Sequence, residues 1–394
     1  MINEKMRLLG TNRSTIRELF EFGKKMKAEL GEYSVFDFSL GNPSVEPPLD
    51  VNAGLLKLIE ESPPTQLHGY TSAEGDAAVR RAIAEHASSS YGTDIDPSLI
   101  YMTAGAAAAL TSVLTALTTP GESVIVVSPF FPEYKVFVEA AGAALKVVPA
   151  REKDFGLDID AIKEAIDETV AAVIINSPNN PTGAVYSKSD IKALAELLSK
   201  KSKKYDKPIY IIADEPYREL VYDGINVPFI PNYYDNTVVC YSFSKSLSIP
   251  GERIGYAMVS PTAENAGSVF RAIAGAGRSL GYVCAPSIFQ KLVPYCLGKV
   301  SELAVYEENR KMLYEALTEY GYEVVYPSGA FYLFVKALIP SAKDFSDIAK
   351  KYGLLLVPSD DFGYEGYVRL AYCQSPDMIR RSLPAFEQLI REFK

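Results

Sequence analysis

The chain has 394 residues, more than one ordinary core holds, so two domains are expected. It is 48% hydrophobic and 23% charged, as soluble globular proteins are, and its net charge of -9 argues against nucleic-acid binding, which draws on basic patches. Two histidines, His68 and His86, and four scattered cysteines, Cys240, Cys284, Cys296 and Cys373, exclude a His-rich metal centre, and no GxSxG motif supports a Ser-His-Asp triad.

The N-terminal residues 1–7 are charged and lack the apolar core of a signal peptide. No apolar run is long enough to cross a membrane, and the cysteines show no CxxC spacing. A cytoplasmic protein with buried, reduced thiols is expected, its partners neither nucleic acid nor membrane. Asn12 to Leu30 reads as an amphipathic helix, with Asn12 or Ser14 as its cap. Gly41-Asn42-Pro43 and Pro47-Pro48 are loops. His86 lies in a polar helical stretch, 82–88, and should face solvent.

From about residue 70, strands and helices alternate. Leu99 to Thr103 is a short strand running into an Ala-rich helix, Ala106 to Leu117. Buried strands follow at Ser123–Val127, Ala144–Val148, Val170–Asn176, Pro208–Ala213 and Thr237–Tyr241. Continuous apolar strands separated by helices suggest a mostly parallel sheet covered on both faces, an α/β architecture. Pro286 to Tyr320 is helical, with an interruption near Pro294. Short strands (Ala330–Val335, Tyr367–Tyr372) and helices (Phe345–Tyr352, Ser375–Phe393) then mark a second, α+β domain.

Polar segments cluster just after the buried strands. Ligands of open α/β sheets bind at those carboxyl ends, so Asn180, Asp214 and Lys245 should converge although about thirty residues separate each from the next. The set suits an aldehyde-bearing, phosphorylated pyridine. A lysine can form an imine and shuttle a proton. A carboxylate can keep a ring nitrogen protonated. Hydroxyls, an arginine and a helix N-terminus can hold a phosphate.

The motifs Ser177-Pro178-Asn179-Asn180-Pro181-Thr182-Gly183, Ala213-Asp214-Glu215-Pro216-Tyr217 and Ser242-Phe243-Ser244-Lys245-Ser246, followed by Arg253-Ile254-Gly255-Tyr256, resemble the class I/II aminotransferases of fold type I, which use pyridoxal 5′-phosphate. The resemblance runs from Gly41-Asn42-Pro43 to Arg369, and its wording is closest to the aspartate type. It implies a large domain, 47–292, with a seven-stranded, mostly parallel sheet. It also implies a small domain built from 1–46 and 293–394. Lys245 would carry the cofactor as a Schiff base and shuttle the proton. Asp214 would face the ring nitrogen. Asn180 and Tyr217 would bond the ring hydroxyl. Ser242, Ser244, Arg253 and the backbone at Gly105, Ala106 and Ala107 would hold the phosphate. Phe131 would stack on the ring, and Tyr70 would reach the phosphate of the neighbouring subunit in a homodimer with shared active sites. Arg369, with Asn180 and a Gly41 backbone contact, would bind the substrate carboxylate. The implied reaction moves the α-amino group of an amino acid to a 2-oxo acid.

Two departures from the family pattern stand out. The phosphate loop Thr103-Ala104-Gly105-Ala106-Ala107 lacks a hydroxyl that many relatives carry beside the glycine, and Phe131 stands where they often have Tyr or Trp. Read alone, Asn180 is a turn residue before Pro181, Arg253 a surface charge, and Arg369 either half of a salt bridge or a carboxylate clamp. A carbon–sulfur β-lyase would use the same constellation, and so would a non-catalytic regulator that binds the cofactor. An acidic substrate would want a second cation, for which Arg278 and Arg13 are candidates. Gly275-Ala276-Gly277-Arg278-Ser279-Leu280-Gly281 imitates a dinucleotide fingerprint, but its third glycine is one place late and no strand leads into it.

Overall fold

A computed structural model describes residues 2–11 and 15–394. Two compact units result. One comprises Met1–Ser44, Asn180–Gly183 and Leu303–Lys394, and the other Val45–Asn179 with Ala184–Glu302. Asn12, Arg13 and Ser14, which carry the expected helix cap and one candidate cation, lie outside the described residues. The helix itself spans Thr15–Leu30.

The larger unit is built on a seven-stranded sheet. In spatial order the strands are Ile100–Thr103, Gly255–Val259, Thr237–Ser242, Tyr210–Asp214, Val170–Asn176, Ser123–Ser128 and Ala144–Pro149. Gly255–Val259 runs antiparallel to both neighbours, and the other paired neighbours are parallel. Every residue of Val170–Asn176, Tyr210–Asp214 and Thr237–Ser242 is buried, which is why these segments read as unbroken apolar runs. Val113 and Leu114 of helix Ala106–Leu117, and Phe270 and Ile273 of helix Ala266–Ser279, pack with Val124, Val126, Ile174 and Ile212 of the sheet. The expected mostly parallel sheet is therefore present. Gly255–Val259 was not expected. It is five residues long, opens on a glycine and follows a Pro-Gly turn, so its apolar signal is weak.

The smaller unit has a four-stranded antiparallel sheet in the order Val357–Pro358, Tyr367–Ala371, Tyr332–Lys336, Val324–Val325. Phe36–Asp37 pairs with Leu354–Leu355 in a separate two-stranded sheet. Helices Leu303–Tyr320, Ala342–Ala349 and Pro376–Arg391 complete the unit.

Three expectations need correction. Residues 293–302 belong to the larger unit. Their helix, Ser287–Cys296, presses on helix Leu49–Glu61, where a Cβ on Gly54 would lie 2.9 Å from Leu292 Cδ1. Beyond it, the Ser301 N–H donates to the Ser246 carbonyl at 2.8 Å. Pro294 sits inside that helix without ending it, and the interruption comes at 297–302, where Gly298 has φ +74°. His86 is half-buried, with Cε1 3.3 Å from where a Gly298 Cβ would stand, and burial lowers its pKa. The glycine run 275–281 falls at the end of helix Ala266–Ser279, where it cannot act as the loop that opens a helix.

Candidate active site

Strand register sets the polar residues of the larger unit side by side. Asn176 pairs with Asp214, and Asp214 with Cys240, at the carboxyl ends of their strands. Asp214 is 4% exposed. Its Oδ2 accepts from the Tyr134 hydroxyl at 2.5 Å and from the Asn176 amide at 3.5 Å. Its Oδ1 is buried and has no hydrogen-bond partner among the described residues. Burial is the main cause that pushes the Asp214 carboxyl up to about 7, and the Tyr134 hydrogen bond opposes that rise. The neighbouring acid, Glu215, is already engaged. It forms a buried ion pair with Arg218 at 2.5 Å, and Arg218 also donates to the Val227 and Pro228 carbonyls. Of the two adjacent acids, then, Asp214 alone presents a bare acceptor.

The antiparallel strand assembles an anion cradle. Gly255 pairs with Ser242 on one side and with Thr103 on the other, which brings the Gly105 loop, Ser242 and Arg253 to one edge. Arg253 Nη1 donates to Ser244 Oγ at 3.2 Å, and Nη2 to the Ala104 carbonyl at 3.2 Å. The Ser242 and Ser244 hydroxyls share a 2.8 Å hydrogen bond. Helix Ala106–Leu117 begins at Gly105 with no side-chain cap, so the first N–H groups at Ala106 and Ala107 stay available to an anion. Gly105 has φ +83°, and a Cβ there would lie 2.6 Å from Arg253 Nη2. The loop can hold its arginine this close only because the residue is glycine.

Lys245 sits half-buried in the short helix Phe243–Ser246, directly after the strand, and Ser246 is tied to the Tyr241 hydroxyl at 3.0 Å. Tyr217 is 6% exposed. The Phe131 ring stands edge-on to Tyr134, with centroids 5.6 Å apart. Tyr70 is 92% exposed. Arg278 is exposed at the end of its helix.

The smaller unit forms a second cluster. Arg369 lies in strand Tyr367–Ala371, paired on both sides, and is 2% exposed. Nη1 donates to Asn180 Oδ1 at 3.1 Å and Nη2 to the Ser39 carbonyl at 2.5 Å. These bonds orient the guanidinium. The Tyr332 ring lies 4.6 Å and the Phe362 ring 5.2 Å from it. Gly41 is pressed against Tyr332, whose hydroxyl would collide with a Cβ there.

The profile of the aminotransferase class I and II family matches residues 33–386. The chain belongs to the class I and II aminotransferases. It is 51% identical to an amino transferase from Eubacterium rectale of known crystal structure, covering all of this chain and 99% of that one with a TM-score of 0.98. An aspartate aminotransferase structure from Thermus thermophilus with maleate is 26% identical over 99% of this chain and 100% of that chain, with a TM-score of 0.86. A probable N-acetyl-LL-diaminopimelate aminotransferase of Bacillus subtilis is 30% identical over 90% of this chain and 89% of its own length. This aminotransferase is pyridoxal phosphate-dependent and has the α/β fold of aspartate aminotransferases.

The residues fit that cofactor. The bare, buried Oδ1 of Asp214 lacks a donor, which a protonated ring nitrogen would supply. The cradle of Arg253, two serines and a helix N-terminus suits a phosphate. Sequence reasoning missed Tyr134. An aromatic residue on helix Glu133–Ala140 reads as core, and its closeness to the Ser128 strand end was the available signal.

The state of Asp214 makes a stability prediction for the cofactor-free protein. Its folded pKa lies above the unfolded value, so its contribution is fully present at low pH and is lost as pH rises from about 4 toward 7. Relative to Asp214→Asn, the wild-type melting temperature is expected to drop between about pH 4 and about pH 7. A difference independent of pH would refute the raised carboxyl. Tyr134→Phe should weaken cofactor affinity by roughly tenfold, the worth of one hydrogen bond to a charged group.

Proposed function

We propose that Lys245, Asp214 and Arg369 divide the work of transamination, with Asp214 as the group that activates the cofactor. The bare Oδ1 of Asp214 carries this reading. When bound, pyridoxal phosphate supplies an aldehyde that condenses with amines and a protonated ring that withdraws electrons. Asp214 would accept the ring N–H at Oδ1, and that contact would favour the carboxylate over the acid that burial alone favours. Tyr134 holds Oδ2, which would leave Oδ1 for the ring. Ser242, Ser244, Arg253 and the N–H groups at Gly105, Ala106 and Ala107 would grip the phosphate. Phe131 would cover the ring, and Tyr217 and Asn180 are the residues proposed for its hydroxyl.

Lys245 Nζ takes the proton from the substrate Cα, which requires a neutral amine. Arg369 binds the substrate α-carboxylate, with Asn180 beside it and the Gly41 backbone as a further contact. The substrates are an amino acid and a 2-oxo acid. Lys245→Ala is expected to abolish turnover and the visible absorbance of the loaded protein. Arg369→Ala should raise KM for both substrates by about a hundredfold, within the range for a charged pair lost on one side. Unchanged absorbance in the first variant, or unchanged KM in the second, would overturn the corresponding role.

A second copy of the chain is the partner we infer. Leu49, Leu56 and Ile59 of helix Leu49–Glu61 are 85%, 60% and 58% exposed, more apolar surface than a lone helix face ordinarily leaves in water. Tyr70, exposed with them, would offer its hydroxyl to the phosphate of that copy. The three buried cysteines, Cys240, Cys296 and Cys373, form no disulfide, which fits a reducing cytoplasm. Sedimentation equilibrium should return twice the chain mass, and a monomer at micromolar concentration would rule the partner out.

A further inference from the structure

The smaller unit buries a second arginine that the roles above leave unused. Arg310, on helix Leu303–Tyr320, is 0% exposed. A guanidinium in such a place is costly unless its donors are engaged. Nη1 donates to the Pro327 carbonyl at 3.0 Å and to the Tyr326 hydroxyl at 3.1 Å. The guanidinium also stacks 5.1 Å from the Tyr326 ring. These contacts fix the turn at 326–329.

That turn grips the segment bearing Asn180. The N–H groups of Ser328 and Gly329 both donate to the Gly183 carbonyl, each at 2.9 Å. The fit leaves no slack: a Cβ on Gly183 would lie 2.5 Å from Pro327 Cβ and 3.0 Å from the Gly329 and Tyr332 carbonyls. Gly183 closes the segment Asn180–Gly183, whose first residue accepts from Arg369. The residue next to Arg310 works on the other side. Asn309 Nδ2 donates to the Tyr372 carbonyl at 3.0 Å and to the Gln374 carbonyl at 2.7 Å, just past the strand that carries Arg369. Two consecutive buried polar residues on one helix thus hold both partners of the Arg369–Asn180 pair.

We propose that Arg310 is a positioning residue for the carboxylate site, acting through Pro327, Ser328, Gly329 and Gly183 to keep Asn180 against Arg369. The inference rests on reading Arg369 as the carboxylate-binding residue. A methionine of similar length would fill the space without a charge. What it would not supply is a directional bond to the turn.

The test is steady-state kinetics of the loaded enzyme for Arg310→Met, Arg369→Ala and the double variant, with cofactor affinity measured alongside. Arg310→Met should raise KM for amino acid and oxo acid roughly ten- to thirtyfold, as displacement of a positioning group does, with kcat within about twofold. Cofactor affinity should not move. In the Arg369→Ala background the same change should add less than about twofold, since the two residues would act on one contact. A lower melting temperature with unchanged KM, or a full additive effect in the double variant, would overturn the proposal and leave Arg310 a residue of the fold. If Arg310→Met does not fold, Arg310→Gln, which removes the charge and the reach to Pro327 but keeps a polar head, carries the same comparison and is judged by the same outcomes. If Arg369→Ala itself leaves KM unchanged, the carboxylate reading fails, and the Arg310 variants then report only on stability.

Discussion

Asp214 is a carboxyl group placed where water cannot solvate it, at the end of a strand buried along its whole length. One oxygen is held by Tyr134 and Asn176, and the other is bare. In that state the charged form is disfavoured, and the group leans toward its neutral acid. A cationic N–H set against the bare oxygen reverses the balance. On the proposed reading, the cofactor's ring would keep its proton and the carboxyl its charge through that one contact. The surrounding elements can be understood as what keeps that contact in place. Glu215 is drawn off by Arg218, the Tyr134 hydroxyl is fixed by its helix, and Asn176 is set by register.

The proposed phosphate cradle depends on a different constraint, the direction of one strand. Gly255–Val259 runs against its neighbours, so its first residues return to the edge where the parallel strands end. Arg253, two residues upstream, then meets Ser244 and the Ala104 carbonyl. A parallel strand in that slot would have delivered its start to the opposite edge. Gly105 completes the arrangement by accepting a positive φ and the close guanidinium. The hydroxyl that the loop lacks beside Gly105 is offset by donors already in hand: two serines, an arginine and the uncapped helix start.

The legible parts of this protein are those where one residue type has one physical reason to be where it is. Asp214 and Lys245 follow unbroken apolar runs, and a charge at that position must be at a strand end. The Val170–Asn176 strand could be read residue by residue, because a strand buried on both faces has no polar alternation to blur. Gly255–Val259 was illegible as a strand for the opposite reason: it is short, glycine-led and adjacent to a turn. Tyr134 was hidden because a buried tyrosine is ordinarily core, and only the position of its hydroxyl separates the two cases. Arg310 was hidden likewise. In sequence it is one charge in the run Glu307-Glu308-Asn309-Arg310-Lys311, and only packing shows that two of these five point inward. The boundary at 302 rather than 292 rests on contacts at Gly54 and Ser246, far away in the chain.

The protonation of the bound ring tests the central claim most directly. Nuclear magnetic resonance of the holoenzyme carrying pyridoxal phosphate labelled with nitrogen-15 in its ring reads that state at the atom concerned. The account predicts a ring nitrogen that stays protonated at neutral pH and above, with the signal shifting to the neutral form in Asp214→Asn. A neutral ring nitrogen in the wild-type protein at neutral pH would contradict it.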